Sequence, residues 1–173
     1  YNGDGEASDS AISGFQMVST KNGPDLDPSA NWAGNYTISC VPGQGVDGTN
    51  AILVTKKLSY GYAAMASSKL QLIKGQKYTL QYAYKITELG GASGVKHYPV
   101  SAYVITYDQA GSQVETLRID MHYGQDATEV PEWTDSKVFA FTPAKDSAYA
   151  VLYLGTGTVG GQGSYKIYFD NIT

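Results

Sequence analysis

The chain has 173 residues, with 12 Lys+Arg against 16 Asp+Glu for a formal charge of -4; 42% of its residues are hydrophobic and 16% are charged. That is one domain's length, too apolar and too weakly charged for a disordered chain. The acidic balance disfavours a nucleic-acid partner, and Cys40, the only thiol, excludes an internal disulfide and a thiolate zinc site.

The composition predicts an all-β fold. Tyr (15) and Gly (20) are abundant, and Tyr, Thr and Val fall in short alternating stretches bounded by Gly, Pro, Asn and Asp. In chain order, strands are predicted over 14–20, 35–40, 51–57, 68–73, 77–87, 99–107, 114–122, 137–142, 147–154 and 164–170. The stretch 60–72, with Ala63-Ala64-Met65-Ala66, is given at most a helical turn because Gly61 adjoins it and two Ser follow. Turn chemistry sits at Lys74-Gly75, Gln109-Ala110-Gly111-Ser112, Pro143-Ala144-Lys145-Asp146 and Gly160-Gly161-Gln162-Gly163. Many short strands without helices predict a two-sheet antiparallel β-sandwich, or jelly roll, in a single domain over 1–173. No transmembrane helix or membrane partner is expected, since no run approaches about 18 apolar residues.

Several motifs, in order along nearly the whole chain, resemble carbohydrate-binding modules of families 4, 9, 16 and 22. Asn2-Gly3-Asp4-Gly5-Glu6 is similar to their opening, without its aromatic residue. Gly48-Thr49-Asn50-Ala51-Ile52-Leu53-Val54 and the stretch Leu72 to Leu80 resemble two of their strands. Trp133 followed by Phe139-Ala140-Phe141-Thr142-Pro143, and the closing Tyr168-Phe169-Asp170-Asn171-Ile172, complete the series. The resemblance implies a galactose-binding-like jelly roll that attaches a secreted glycoside hydrolase to polysaccharide without catalysis. It implies a monomer tethered to a catalytic domain, and the start at Tyr1 without Met fits an excised module. It also implies a structural calcium held by Glu6 and Asp170, with Asp4 and Asp47 as further ligands, since calcium takes hard oxygen donors.

Sugar binding needs flat apolar surfaces for pyranose C–H faces, and planar donors and acceptors for paired hydroxyls. Trp32 and Trp133 are candidate platforms or core plugs. Gln81 and Lys85 share the wet face of one predicted strand, about 13 Å apart at roughly 3.3 Å per residue. Thr116, Arg118, Asp120 and His122 alternate as a polar stripe, either a hydroxyl-binding row or a solvated face. Tyr103 and Tyr107 alternate in one strand, Tyr149 and Tyr153 in another; periodicity leaves open whether they are core or platform, and Tyr103 is taken as a binding residue. The glucanase pattern Glu-x-Asp-x-x-Glu, a His-Glu-x-x-His motif and a Gly-x-Ser-x-Gly elbow are all absent. The expected function is therefore noncatalytic binding of a β-linked glucan, mannan or xylan. The alternatives are a small jelly-roll lyase or hydrolase using a Tyr and His122, or a cell-surface adhesion domain recognising protein.

Overall fold

A computed structural model describes residues 14–20, 36–122 and 125–173. Its strands are β1 (Phe15–Thr20), β2 (Tyr36–Val41), β3 (Ala51–Ser67), β4 (Tyr78–Leu80), β5 (Ala83–Gly91), β6 (Lys96–His97), β7 (Ser101–Tyr107), β8 (Gln113–Asp120), β9 (Val130–Asp135), β10 (Phe139–Phe141) and β11 (Tyr149–Asp170), with one 3-10 turn at Val46–Gly48. The predicted β-sandwich is what these strands form.

Two long strands carry the architecture. β3 and β11 run antiparallel side by side, 61–66 against 153–158 and 52–59 against 163–169. Between these stretches the register shifts, and both strands pass from one layer into the other. In the first layer the order is β1, β3, β11, β7, β8. In the second it is β2, β3, β11, β5, β9. β6 pairs with β11 at the bend, and β4 and β10 form a separate two-stranded sheet.

The predicted turn Gly160-Gly161-Gln162-Gly163 therefore lies inside one continuous strand, and the segments 147–154 and 164–170 are joined. Glycine is needed there because the backbone runs close to its neighbours. A Cβ on Gly163 would sit 2.6 Å from Thr158 Cγ2 and 2.8 Å from His97 Cε1. The expected helical turn near Ala63–Ala66 is strand, because pairing with β1 on one side and β11 on the other overrides alanine's helix propensity. Stretch 68–73 is held by a Leu70–Ala150 bridge and by single hydrogen bonds, such as Ser68 N to Gly14 O and Ile73 N to the Tyr78 hydroxyl, and the long segment 77–87 divides, since Leu80 pairs with Phe139 while Gln81 exchanges backbone hydrogen bonds with Thr173. β9 was not anticipated; its Pro131 is tolerated because β9 pairs with β5 at the end of the strand order.

Alternation along the central strands sets the core. Met65, Ala102, Val104, Leu152 and Leu154 from the first layer meet Ile52, Val54, Ile86, Ile167 and Phe169 from the second in one cluster. Burying these side chains is the main stabilising term. A smaller cluster of Ala64, Ala66, Tyr103, Ile105 and Tyr153 occupies the opposite face of the first layer.

Lys56 points inward beside the bend, 2% exposed, and donates to Gly163 O and to Thr158 Oγ1. Burial pushes its pKa down to about 8. Nearby His97 is lowered first by burial and then by the Lys56 charge, and its buried Nδ1 has no hydrogen-bond partner among the described residues. Both groups bind protons less readily folded than unfolded, so each contributes stability at high pH that is lost as pH falls: Lys56 from 10.5 down to about 8, His97 below 6.5. Urea titrations are expected to show stability falling below pH 6.5, and His97→Gln to flatten that fall; an unchanged slope in the variant would remove His97 as its cause.

Candidate functional site

An aromatic ladder lies on the outer face of the first layer. β7 and β11 set Tyr103 opposite Tyr153 and Tyr107 opposite Tyr149. Cross-strand neighbours on one face are close enough for ring contact, and both pairs stack: centroids 5.2 Å apart at 14° for Tyr103–Tyr153, 5.1 Å at 16° for Tyr107–Tyr149. The Tyr107 and Tyr153 hydroxyls share a 2.8 Å hydrogen bond, joining the pairs into one ladder. Its Tyr103 end is fully buried, whereas Tyr107 and Tyr149 are half-buried.

At that open end is a hollow of about 410 Å³, lined by Tyr107, Tyr149, Tyr153, Ala66, Ser67 and Lys69 among others. Lys69 is exposed and places its ammonium 4.1 Å from the Tyr149 ring centre. Gly111, at φ +83°, turns the β7–β8 hairpin tightly enough that a Cβ there would lie 3.7 Å from the Tyr149 hydroxyl. The arrangement offers a flat aromatic wall, paired hydroxyls and a movable cation.

The residues singled out in the sequence fall in different places. Arg118 stands exposed opposite Tyr103 on the first layer's outer face. Asp120 does not share that face: Ala102 pairs with Asp120 and Tyr103 with Arg118, so Ile119 is an extra bulge residue that turns Asp120 to the inner side. The polar stripe is thereby split. Asp120 and His122 line a cavity at the edge of the sandwich, with His122 Nε2 2.9 Å from Asp120 Oδ1 and the Tyr82 hydroxyl 3.2 Å from Asp120 Oδ2.

Lys85 and Trp133 meet on the second layer, the ammonium 4.9 Å from the indole and 4.6 Å from the Tyr168 ring while donating to Gln44 O at 3.2 Å. Three contacts hold Lys85 there, and Trp133 is half-buried behind it. Gln81 reaches Ser136 O at 3.4 Å, outside these clusters. Tyr103, the tyrosine singled out in the sequence, is the inaccessible member of the ladder at 0% exposure. Tyr107, Tyr149, Tyr153 and Lys69, which the fold brings together around the hollow, were not singled out as binding residues in the sequence; the alternation was visible, but not which strands pair. Trp32 lies outside the described residues.

Glu6 and Asp4 also lie outside the described residues. Asp170 is wholly buried; its Oδ2 accepts from Val46 N at 2.7 Å and Thr49 Oγ1 at 2.9 Å, and its Oδ1 from Asn171 N at 2.8 Å. Asp47 is exposed at φ 56° in the turn that Asp170 holds. Among the described residues no three His, Cys, Asp or Glu side chains come together as a metal site. Both carboxylate oxygens of Asp170 already accept hydrogen bonds from within the chain.

No protein-family model matches the chain, and no curated protein matches its sequence. Its fold is similar to solved structures. A structure of promiscuous carbohydrate-binding modules from the β-sandwich superfamily aligns with TM-score 0.62 and 15% identity, over 99% of this chain and 62% of that one, so the chain spans less than two thirds of it. The C-terminal family 22 carbohydrate-binding module of Clostridium thermocellum Xyn10B aligns with TM-score 0.59 and 15% identity, over 99% of this chain and 89% of that one. The N-terminal modules of the same xylanase, a family 22 binding module joined to a GH10 module and complexed with xylohexaose, align with TM-score 0.52 and 15% identity, over 99% of this chain and 26% of that one. At these identities the likeness is one of fold.

Burial raises the Tyr107 and Tyr153 phenols above their ordinary value of 10.0, with the shared hydrogen bond adding to the rise at Tyr153. Stability from this pair is therefore present below pH 10.0 and is lost as pH rises past it. Tyr107→Phe leaves the Tyr153 hydroxyl without this partner and is expected to cost about 1–2 kcal/mol in urea unfolding. In an alkaline absorbance titration of the parent chain the two phenols should ionise above the ordinary tyrosine value of 10.0; full tyrosine ionisation at pH 10.0 with the fold intact would refute the buried pair.

Proposed function

We propose that the chain is a noncatalytic polysaccharide-binding module whose site is the tyrosine hollow of the first layer. The observation that carries this reading is the cross-strand stacking of Tyr107 on Tyr149 beside a hollow of about 410 Å³. That volume falls within the roughly 300–1,000 Å³ of small-ligand sites. A pyranose laid against Tyr149 displaces the Lys69 ammonium from the ring, and the freed ammonium then donates to a sugar hydroxyl. The Tyr107–Tyr153 hydroxyl pair supplies a second polar anchor on the same wall.

The fold likeness to carbohydrate-binding modules and the ordered motifs of the sequence support the reading. On this reading the ligand is a β-linked glucan, mannan or xylan, and the module is secreted, tethered to a glycoside hydrolase. An open hollow leaves the sugar partly wet, so affinity lies on the order of micromolar to millimolar.

Affinity gels containing xylan, β-glucan or mannan test it. Tyr149→Ala and Tyr107→Ala are expected to weaken retardation about tenfold or more, the loss of about 1.4 kcal/mol or more. Trp133→Ala, on the other layer, should leave it unchanged. Retardation lost in W133A and kept in Y149A overturns the placement; release of reducing ends or unsaturated products overturns the noncatalytic reading.

Calcium is proposed on the sequence resemblance, with Glu6 and Asp4 completing a site at Asp170. Thermal unfolding with calcium and with chelator checks it. A higher midpoint with calcium that Glu6→Gln abolishes is the expected result, and equal midpoints would reduce Asp170 to a latch for the 46–49 turn.

A further inference from the structure

A second cavity, of about 420 Å³, opens between the layers beside the edge strands β8 and β9 and shares no lining residue with the tyrosine hollow. We propose that it is a second saccharide site, one that takes a single ring or chain end of a neutral or amino sugar and discriminates against uronates. The proposal draws on the polysaccharide reading only for its ligand class and stands on separate residues.

One wall is a preoriented polar strip. The Tyr82 hydroxyl donates to Asp120 Oδ2 at 3.2 Å, His122 Nε2 lies 2.9 Å from Asp120 Oδ1, and His122 Nδ1 lies 3.3 Å from Gln125 Oε1. These contacts hold the carboxylate and imidazole in place, and each carboxylate oxygen keeps a lone pair for a sugar hydroxyl. The half-buried Tyr84, Val130 and Phe139, with buried Ile86, supply an apolar wall for a ring's C–H face. At the mouth, Asp126 is anchored by accepting from His97 N at 2.8 Å, while exposed Asp135 and Lys137 complete the rim.

The ligand class follows from count and spacing. Asp120, Asp126 and Asp135 line the cavity against one lysine, Lys137, so acceptors outnumber cations and an anionic sugar is repelled. No three acidic, His or Cys side chains among the described residues gather as a metal site. The cavity also backs onto the interlayer core through Val100 and Ile86, which suits a terminal ring better than a chain running through.

Amide NMR of the 173-residue chain titrated with methyl β-glucoside, glucosamine and glucuronate tests the site. Saturable shifts at Gln125, Asp126 and Lys137 are expected with the first two probes, and binding about tenfold weaker or worse with glucuronate. His122→Ala and Asp135→Asn should each weaken monosaccharide binding about tenfold, with native signal dispersion and with polysaccharide retardation intact. Tyr149→Ala should do the reverse, so the two sites fail independently. Shifts confined to the tyrosine hollow, no saturable shifts, or glucuronate bound as tightly as glucoside each overturn the proposal. Turnover of an aryl glycoside that H122A abolishes overturns it in favour of catalysis.

Discussion

The lateral pairing of β3 with β11 through both layers is the constraint on which the rest of the structure depends. Each layer borrows half of each strand, so the layers share two central strands and are joined covalently at the bend. Antiparallel pairing fixes which side chains look inward: Met65 and Leu154 on one half, Val54 and Ile167 on the other, all in one core. Shifting the register by one residue would send these to solvent and bring Lys166 and Tyr168 inward. The bend needs a backbone without side chains at Gly163, where Thr158 and His97 leave no room for a methyl group. The same register that buries the core places Tyr153 opposite Tyr103 and Tyr149 opposite Tyr107, so the aromatic ladder is a consequence of core pairing.

Buried polar groups at the bend of β11 and at its C-terminal end are treated differently. Asp170 meets three donors, two of them backbone N–H groups, so both of its buried carboxylate oxygens are hydrogen-bonded. Lys56 meets a carbonyl, a hydroxyl and an aromatic face, with desolvation still large enough to depress its pKa to about 8. The bend thus combines close backbone approach with a reluctantly charged lysine. The far end of β11 is a tight latch onto the 46–49 turn, where a Cβ on Gly45 would come within 2.5 Å of Asp170 Oδ2.

Aromatic side chains divide in a comparable way. Trp133 and Tyr168 enclose Lys85, a cation pinned from several directions and so part of the packing. Tyr149 carries Lys69, which is exposed and on a flexible stem. The indole ring of Trp133 thus already faces a cation of the chain itself.

Local pattern was enough to establish an all-β chain, most strand positions, the alternation of Tyr103, Tyr107, Tyr149 and Tyr153, and the sandwich itself, because period-two burial and turn chemistry are written in neighbouring residues. It failed where long-range pairing overrode local preference: the alanines drawn into β3, the glycine run inside β11, and the bulge at Ile119 that parts Arg118 from Asp120. Which tyrosines stack, which lysine is pinned and which carboxylate faces a cavity were decided only in the folded chain. Those outcomes depend on contacts between residues some 30 to 120 positions apart, such as Tyr82 with Asp120 and Val46 with Asp170, and alternation within one strand carries no information about the partner strand.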